Sequence, residues 1–381
     1  MKVCGVICEY NPFHNGHAHH LSHARALSGA DYLVCAMSGP FVQRGGPAVL
    51  DKWTRAEAAL RAGADLVLEL PVRFAVQAAP DFAQGGVALL DGLGVTTHLA
   101  FGSETPDLTQ LRALCAPESA EVSQRIQAYL DQGLSHPAAR ARAQGVDLPP
   151  NAMLGVEYLR AIERLGSAMQ PVIVQRLYSH HDPLLHEMSS ATAIREALAR
   201  GETQAVRAAL PDGAAGSMQL NALPHPLPDL TGFSSILLYL LRTTPPQALR
   251  DAYAIPEGLE NRLCREAFAC ASVDELLARV KCRRYPMARL RRLLTRILLG
   301  LDVNFEKKHP APEYARVLGF KKTAAPLLRA INRQGKLPLI VKTADAAPCD
   351  LLNADLRAQD IWDLLSGFPG RRDLTERLRI L

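Results

Sequence analysis

Two histidines three residues apart bracket a glycine in the segment Glu9-Tyr10-Asn11-Pro12-Phe13-His14-Asn15-Gly16-His17. An apolar run precedes this H-x-G-H core and a helical pattern follows it, so it reads as the turn between a first strand and a first helix. Such a turn offers free backbone N–H groups and a positive dipole end, which suit phosphate. Gly16 lets the backbone approach a nucleotide closely, and His14 and His17 can both face its phosphates. Together they would stabilise charge as an α-phosphate is attacked and pyrophosphate leaves. That chemistry needs positioning and charge more than a covalent nucleophile.

Other readings of the same residues stay open. Five of the twelve histidines fall between His14 and His23. His19 and His23 stand at a spacing that can chelate zinc, but no H-E-x-x-H arrangement or cysteine pair accompanies them, and no metal-ligand set is assigned. A satisfied structural histidine pair, or a turn that binds an anion without catalysis, would look alike. Two downstream signals favour a nucleotide. Gly102 ends a later apolar run, where adenosine could lie against the backbone. Ser189-Ser190-Ala191-Thr192-Ala193-Ile194-Arg195 reads as a hydroxyl-rich helix start, so Ser190 and Thr192 could hold outer phosphates and Arg195 could neutralise them.

These residues need a scaffold to hold them, and the chain supplies one: short β-type runs at 3–8, 32–37, 66–70, 97–101 and 172–177 alternate with helical stretches at 17–27, 52–62, 81–90, 108–114, 121–132 and 152–165. This is the pattern of a Rossmann-like α/β layer with a parallel sheet. Gly, Ala and Pro crowd together in 211–230, predicting a linker between a catalytic domain at 1–210 and a mainly α-helical C-terminal domain at 231–381. Apolar residues recur there at helical spacing, as at Met287, Leu290, Leu294 and Ile297. The run at 337–341 reads as an isolated strand.

The chain has 381 residues, 48% of them apolar, and a formal charge of +5. No apolar run reaches the roughly 18 to 20 residues of a membrane helix, and no cleavable signal opens the chain, so a cytoplasmic location is expected. The eight cysteines form no C-x-x-C pair and are expected to be buried thiols. Charge is uneven: ten basic residues lie between Arg262 and Arg296, against three acidic ones. That excess predicts a polyanionic partner. Lys281, Arg283, Arg284, Arg289 and Arg292 are the candidate RNA contacts, with Tyr285 a candidate for stacking on a base.

The H-x-G-H turn with a later S-S-x-T-x-I-R stretch resembles the nucleotidyltransferase superfamily that includes the class I aminoacyl-tRNA synthetases. Longer segments narrow the likeness: Met37 to Gly45, Asp51 to Glu57, Leu66 to Pro71, Phe101 to Glu104, Asn151 to Tyr158, Arg176, Asp182 and the basic tract. These are similar to the bacterial tRNA(Met) cytidine acetate ligase family, over nearly the whole chain. The resemblance implies that acetate attacks ATP to give acetyl-adenylate, and that the acetyl group then passes to the wobble cytidine of elongator tRNA(Met). It also implies an ATP site made by Ile7, Glu9, Tyr10, Asn11, Pro12, Phe13, His14, Asn15, Gly16, His17 and His20, with Gly102, Asn151 and Arg176. Pro40, Gly46 and the 177–181 stretch depart from the family pattern, which expects Asn at 40 and Glu at 46. Magnesium is expected to arrive with ATP, although no carboxylate declares itself as its ligand. No stable protein partner and no membrane is implied.

Two alternatives make different predictions. A nucleotidyltransferase that adenylylates a phosphorylated cofactor precursor would be indifferent to tRNA. An RNA-binding protein that senses ATP would do no chemistry at all.

Overall fold

Strands that are to be covered on both faces read as nearly continuous apolar runs, and β1 (Val3–Cys8), β2 (Tyr32–Ser38) and β3 (Leu66–Leu70) are almost wholly buried. A computed structural model describes all residues except 116–118, 133–135, 146–148, 177–188, 213–217, 219–222, 224, 225 and 257. With β4 (His98–Ser103) and β5 (Gln170–Gln175), these strands form a parallel layer in the order β5-β4-β1-β2-β3. Chain order therefore reverses between β4 and β1, which opens a crevice at their carboxyl ends.

The alternation of side chains along β1 and β2 separates two cores. Cys4, Val6, Cys8, Leu33, Cys35 and Met37 pack with Leu21 and Ala24 of α1 (Asn15–Ser28) and with α2 (Lys52–Arg61). Val3, Val34, Ala36 and Phe101 pack on the opposite face with α3 (Ala79–Gly92) and α4 (Pro150–Leu165). Further along, α5 (Ala191–Ala199) begins at the Ser190 N-cap, whose hydroxyl accepts the Ala193 N–H at 3.2 Å.

The sheet does not stop with the first two hundred residues. β6 (Ala315–Phe320) adds antiparallel to β3, and β7 (Leu339–Ile340) and β8 (Arg379–Ile380) each pair parallel with β6. The run at 337–341 is thus a paired strand rather than an isolated one. β6 escapes sequence reading because Arg316 interrupts its apolar pattern. Arg316 is 2% exposed and lies 3.0 Å from Glu69 on β3, within a buried cluster that Lys52 and Asp373 complete. Lys52 Nζ lies 2.8 Å from Glu69 and 2.7 Å from Asp373. Four such charges are tolerable without water only because each faces an opposite one.

Between 234 and 308 the chain is helical around its own core, with α6 (Ser234–Thr243) and α7 (Met287–Leu299) packing against α8 (Asp350–Ser366) and the buried Trp362. Trp362 donates its indole N–H to the Ala48 carbonyl at 2.7 Å, which ties this core to the loop after β2. β5 begins and ends two residues earlier than the apolar run suggested, with Pro171 inside it, as an edge strand allows. The 177–181 departure and Asp182 lie outside the described residues, as does part of the 211–230 segment. Among the described residues no helix is long and apolar enough to cross a membrane, and all eight cysteines are free thiols. Five of the thiols are buried, whereas Cys115, Cys282 and Cys349 are partly exposed.

Candidate active site

α1 starts at Asn15, two residues before the helical pattern becomes evident, because His14 is its N-cap. The His14 Nδ1 accepts the Gly16 backbone N–H at 3.1 Å, and the His14 backbone N–H donates to His17 Nδ1 at 3.3 Å. H-x-G-H is therefore a capping box built from imidazoles in place of the usual Ser and Glu. An Nδ1 that accepts a hydrogen bond carries no proton, so each neutral ring keeps its N–H at Nε2. The two rings lie against each other at a tilt of 30°, with centroids 3.7 Å apart. Burial, followed by the neighbouring His14, Arg176 and His20, holds the His17 pKa well below the usual histidine value. His17 thus offers a neutral donor rather than a cation.

Gly16 serves this arrangement directly. A Cβ there would lie 2.9 Å from His14 Cε1 and 3.1 Å from its Nδ1, so any side chain would displace the ring. Tyr10 holds φ at 49°, an uncommon value for a residue with a Cβ. Its ring packs edge-on to Phe13 at 4.7 Å and against His17 at 4.8 Å.

A cavity of about 470 Å³ opens over the carboxyl ends of β1, β4 and β5. It is lined by Ile7, Glu9, Tyr10, Asn11, His14, Gly16, His17, His20, Gly102, Asn151, Arg176, Ser190, Thr192 and Arg195, all expected from the sequence. Pro12, Phe13 and Asn15 belong to the same turn without lining the cavity, and Phe13 is fully buried beneath it. Arg195 is no surface arginine: it donates to the Asn11 carbonyl at 2.7 Å and to Thr192 Oγ1 at 3.1 Å, joining α5 to the first turn. Burial, then the nearby Arg44, lowers its pKa. His20 Nε2 is buried with no hydrogen-bond partner among the described residues, and its pKa is pushed down to about 4 by burial, then by Arg176. Gly102 sits on the α1 side of the sheet, where a Cβ would lie 3.4 Å from Arg176 and 3.6 Å from His20.

Several contributors were not singled out from the sequence. Arg55 is fully buried, and it donates to the carbonyls of Glu9 at 2.7 Å, Ser38 at 2.9 Å, Leu50 at 3.1 Å and Gly39, bracing the end of β1. Glu104 accepts Asn151 Nδ2 at 2.5 Å and the Ala152 N–H at 3.2 Å, so it caps α4 and orients Asn151. Gln43 and Arg44 line the cavity from the loop after β2, with the Gln43 N–H on Glu9 Oε1 at 2.6 Å. A buried arginine or a capping carboxylate gives no local sequence signal of its own, although both residues fall in the longer motifs.

The basic helix α7 meets that loop. Arg292 donates to the Gln43 carbonyl at 3.3 Å and Arg291 to the Gly45 carbonyl at 2.8 Å. Gly46 holds φ at 141° and a Cβ there would lie 2.9 Å from an Arg291 nitrogen, so the departure from Glu accompanies close packing of Arg291, which pairs with Asp229. Of the ten basic residues, Arg265, Arg279, Arg291 and Arg296 are ion-paired to carboxylates. Lys281, Arg283, Arg284 and Arg289 are exposed, and Arg292 is half-buried; none has an ion pair among the described residues. Tyr285 is not free to stack on a base: it is 6% exposed, with the Arg284 and Arg289 guanidinium carbons each 5.7 Å from its ring centroid.

Comparison with known proteins identifies the family and the fold. Residues 1–375 match the family model described as HIGH Nucleotidyl Transferase. The tRNA(Met) cytidine acetate ligase of Thermoanaerobacter sp. (strain X514) is 36% identical, covering 96% of this chain and 95% of that protein. The ligase of the same name from Acetivibrio thermocellus is 34% identical, covering 98% and 97%. The crystal structure of Thermotoga maritima TmcAL bound with alpha-thio ATP superposes with a TM-score of 0.90 at 32% identity, covering all of both chains. With its matching fold and relatives aligned along nearly its whole length, this chain belongs to the tRNA(Met) cytidine acetate ligase family of HIGH nucleotidyl transferases.

Proposed function

We propose that this chain is an ATP-dependent ligase that joins acetate to the wobble cytidine of elongator tRNA(Met), forming N(4)-acetylcytidine. The observation that carries the reading is the cavity at the β1–β4 switch point, where two capping imidazoles and a half-buried arginine from α5 converge. The backbone N–H groups of Asn15, Gly16, His17 and Ala18 are already bonded within the protein, so side chains rather than the expected free amides would meet the phosphates. In the first step an acetate oxygen forms a bond to the α-phosphorus as the bond to pyrophosphate breaks. His14 and His17, the catalytic residues, donate from Nε2 to oxygens gaining charge, in the manner of an oxyanion hole. Arg195, Ser190 and Thr192 contact the outer phosphates, while Gly102, Asn151, Arg176 and His20 border the nucleoside. In the second step the cytidine exocyclic amine attacks the acetyl carbon, AMP leaves and the amine gives up a proton.

Magnesium comes with ATP as part of the substrate. Glu9 is the one carboxylate among the described lining residues and already accepts the Gln43 N–H, so phosphate oxygens and water would hold the ion. The tRNA lies across Lys281, Arg283, Arg284 and Arg289. Arg292 links that surface to the cavity through Gln43. On this reading residues 1–210 form the catalytic part, 211–230 the connection and 231–381 the RNA-binding part, whose strands complete the catalytic sheet. A cytoplasmic location follows from the substrates.

Incubation with ATP, labelled acetate and an elongator tRNA(Met) transcript, followed by nucleoside analysis, tests the proposal. Label in N(4)-acetylcytidine is expected. AMP transfer to a mononucleotide with no dependence on tRNA would replace this reading with that of a cofactor adenylyltransferase.

A further inference from the structure

The cavity is lined by residues from both faces of the sheet. Gly102, His20 and Arg176 lie on its α1 side, whereas Ile7, Phe82, Phe101 and Tyr158 belong to the core on the α3–α4 side and still line the opening. This second recess is walled by rings, with Phe101 and Tyr158 centroids 5.7 Å apart, and its shape is built in. A Cβ at Gly155 would lie 2.7 Å from the Phe101 ring, so glycine lets Phe101 press against α4. Tyr158 is 4% exposed, yet its hydroxyl has no hydrogen-bond partner among the described residues. Tyr158 lines the cavity, so its hydroxyl can donate to a ligand that enters there. It stays protonated, since burial pushes its pKa well above the usual tyrosine value, with smaller contributions from Cys8 and Glu9 at the end of β1.

We propose that this recess is the acetate subsite, with the Tyr158 hydroxyl donating to the acetate carboxylate and Phe82 and Phe101 enclosing its methyl group. The inference rests on the functional reading above and assigns the co-substrate that reading leaves unplaced. A small apolar chamber with a single donor suits a short-chain carboxylate: it shelters a methyl group and leaves one oxygen directed at the α-phosphorus over the end of β1.

Steady-state kinetics of the complete reaction test it. Tyr158→Phe keeps the ring and removes the donor, so the KM for acetate should rise about tenfold to a hundredfold, as for a hydrogen bond to a charged group. The KM for ATP should stay within about twofold, which also shows that the variant is folded. Phe82→Leu should raise the propionate-to-acetate ratio of kcat/KM by about tenfold, the worth of one methylene. An unchanged acetate KM together with an unchanged ratio overturns the assignment. So does an ATP KM that rises in step with that for acetate, because the phenol would then serve the nucleotide. Wild-type protein that acetylates nothing in the presence of acetate would instead overturn the functional reading itself.

Discussion

Lowering the pH should destabilise this protein through His20 by an amount that can be worked out. Its folded pKa is about 4, against an ordinary value of 6.5. Above pH 6.5 the ring is neutral in both folded and unfolded chains, and its contribution to stability is fully present. As the pH falls from 6.5 towards 4, the unfolded chain takes up a proton that the folded chain refuses, and stability is lost. At about 1.4 kcal/mol per pKa unit, the loss by pH 4 is about 3 kcal/mol. Unfolding entropy of about 2.1 cal/mol/K per residue gives about 0.8 kcal/mol/K for this chain, so the loss corresponds to about 4 °C in Tm. The assay is thermal unfolding of wild type and His20→Asn from pH 7 to pH 4. Carboxylates and His17 titrate in both proteins and cancel in the difference. Wild type should fall about 4 °C further than the variant, with the divergence confined to the range below pH 6.5. Parallel curves across that range would refute the neutral, buried state of His20 and, with it, the electrostatic description of the cavity wall.

Three other outcomes follow from the same geometry. Gly16→Ala should displace the His14 ring and slow acetate-dependent pyrophosphate release by about 10²- to 10³-fold, the cost of misplacing one transition-state donor, while Tm falls only about 1 °C; an unchanged rate would show that the ring position is irrelevant. The pair Lys281→Glu and Arg289→Glu should weaken tRNA binding and flatten its log–log salt dependence by about one unit of slope for each phosphate no longer neutralised, whereas Arg292→Glu should also disturb ATP cleavage because it releases Gln43; filter binding beside AMP formation separates them. Lys52→Met leaves Glu69 and Asp373 sharing Arg316 alone, and a loss of about 3 to 5 kcal/mol is expected by thermal unfolding; a fall of less than about 1 °C would show that the buried cluster contributes little.

Local rules were enough for the H-x-G-H turn and for most of the parallel layer. β1 and β3 coincide with their apolar runs, because a strand buried on both faces announces itself by composition. The helix start at 189–195 was legible because capping involves neighbours only three residues apart, and the structure makes Ser190 its N-cap. His14 was singled out for its chemistry and not as a cap, since imidazole is an unusual capping group, and the first helix was therefore read two residues short.

What the sequence left open depends on partners far along the chain. Whether Arg316 belongs to a strand depends on Glu69 and Asp373, and whether Tyr285 is a stacking platform depends on the arginines beside its ring. Arg292 reads as one more surface charge until folding brings it to Gln43, 249 residues away. Tyr158 looks like core packing until α4 is seen to turn it towards the cavity. Apolar periodicity and caps act over a few residues, so sequence alone determines them. The pairing of buried charges and the sharing of a cavity are long-range contacts, which only the tertiary structure decides.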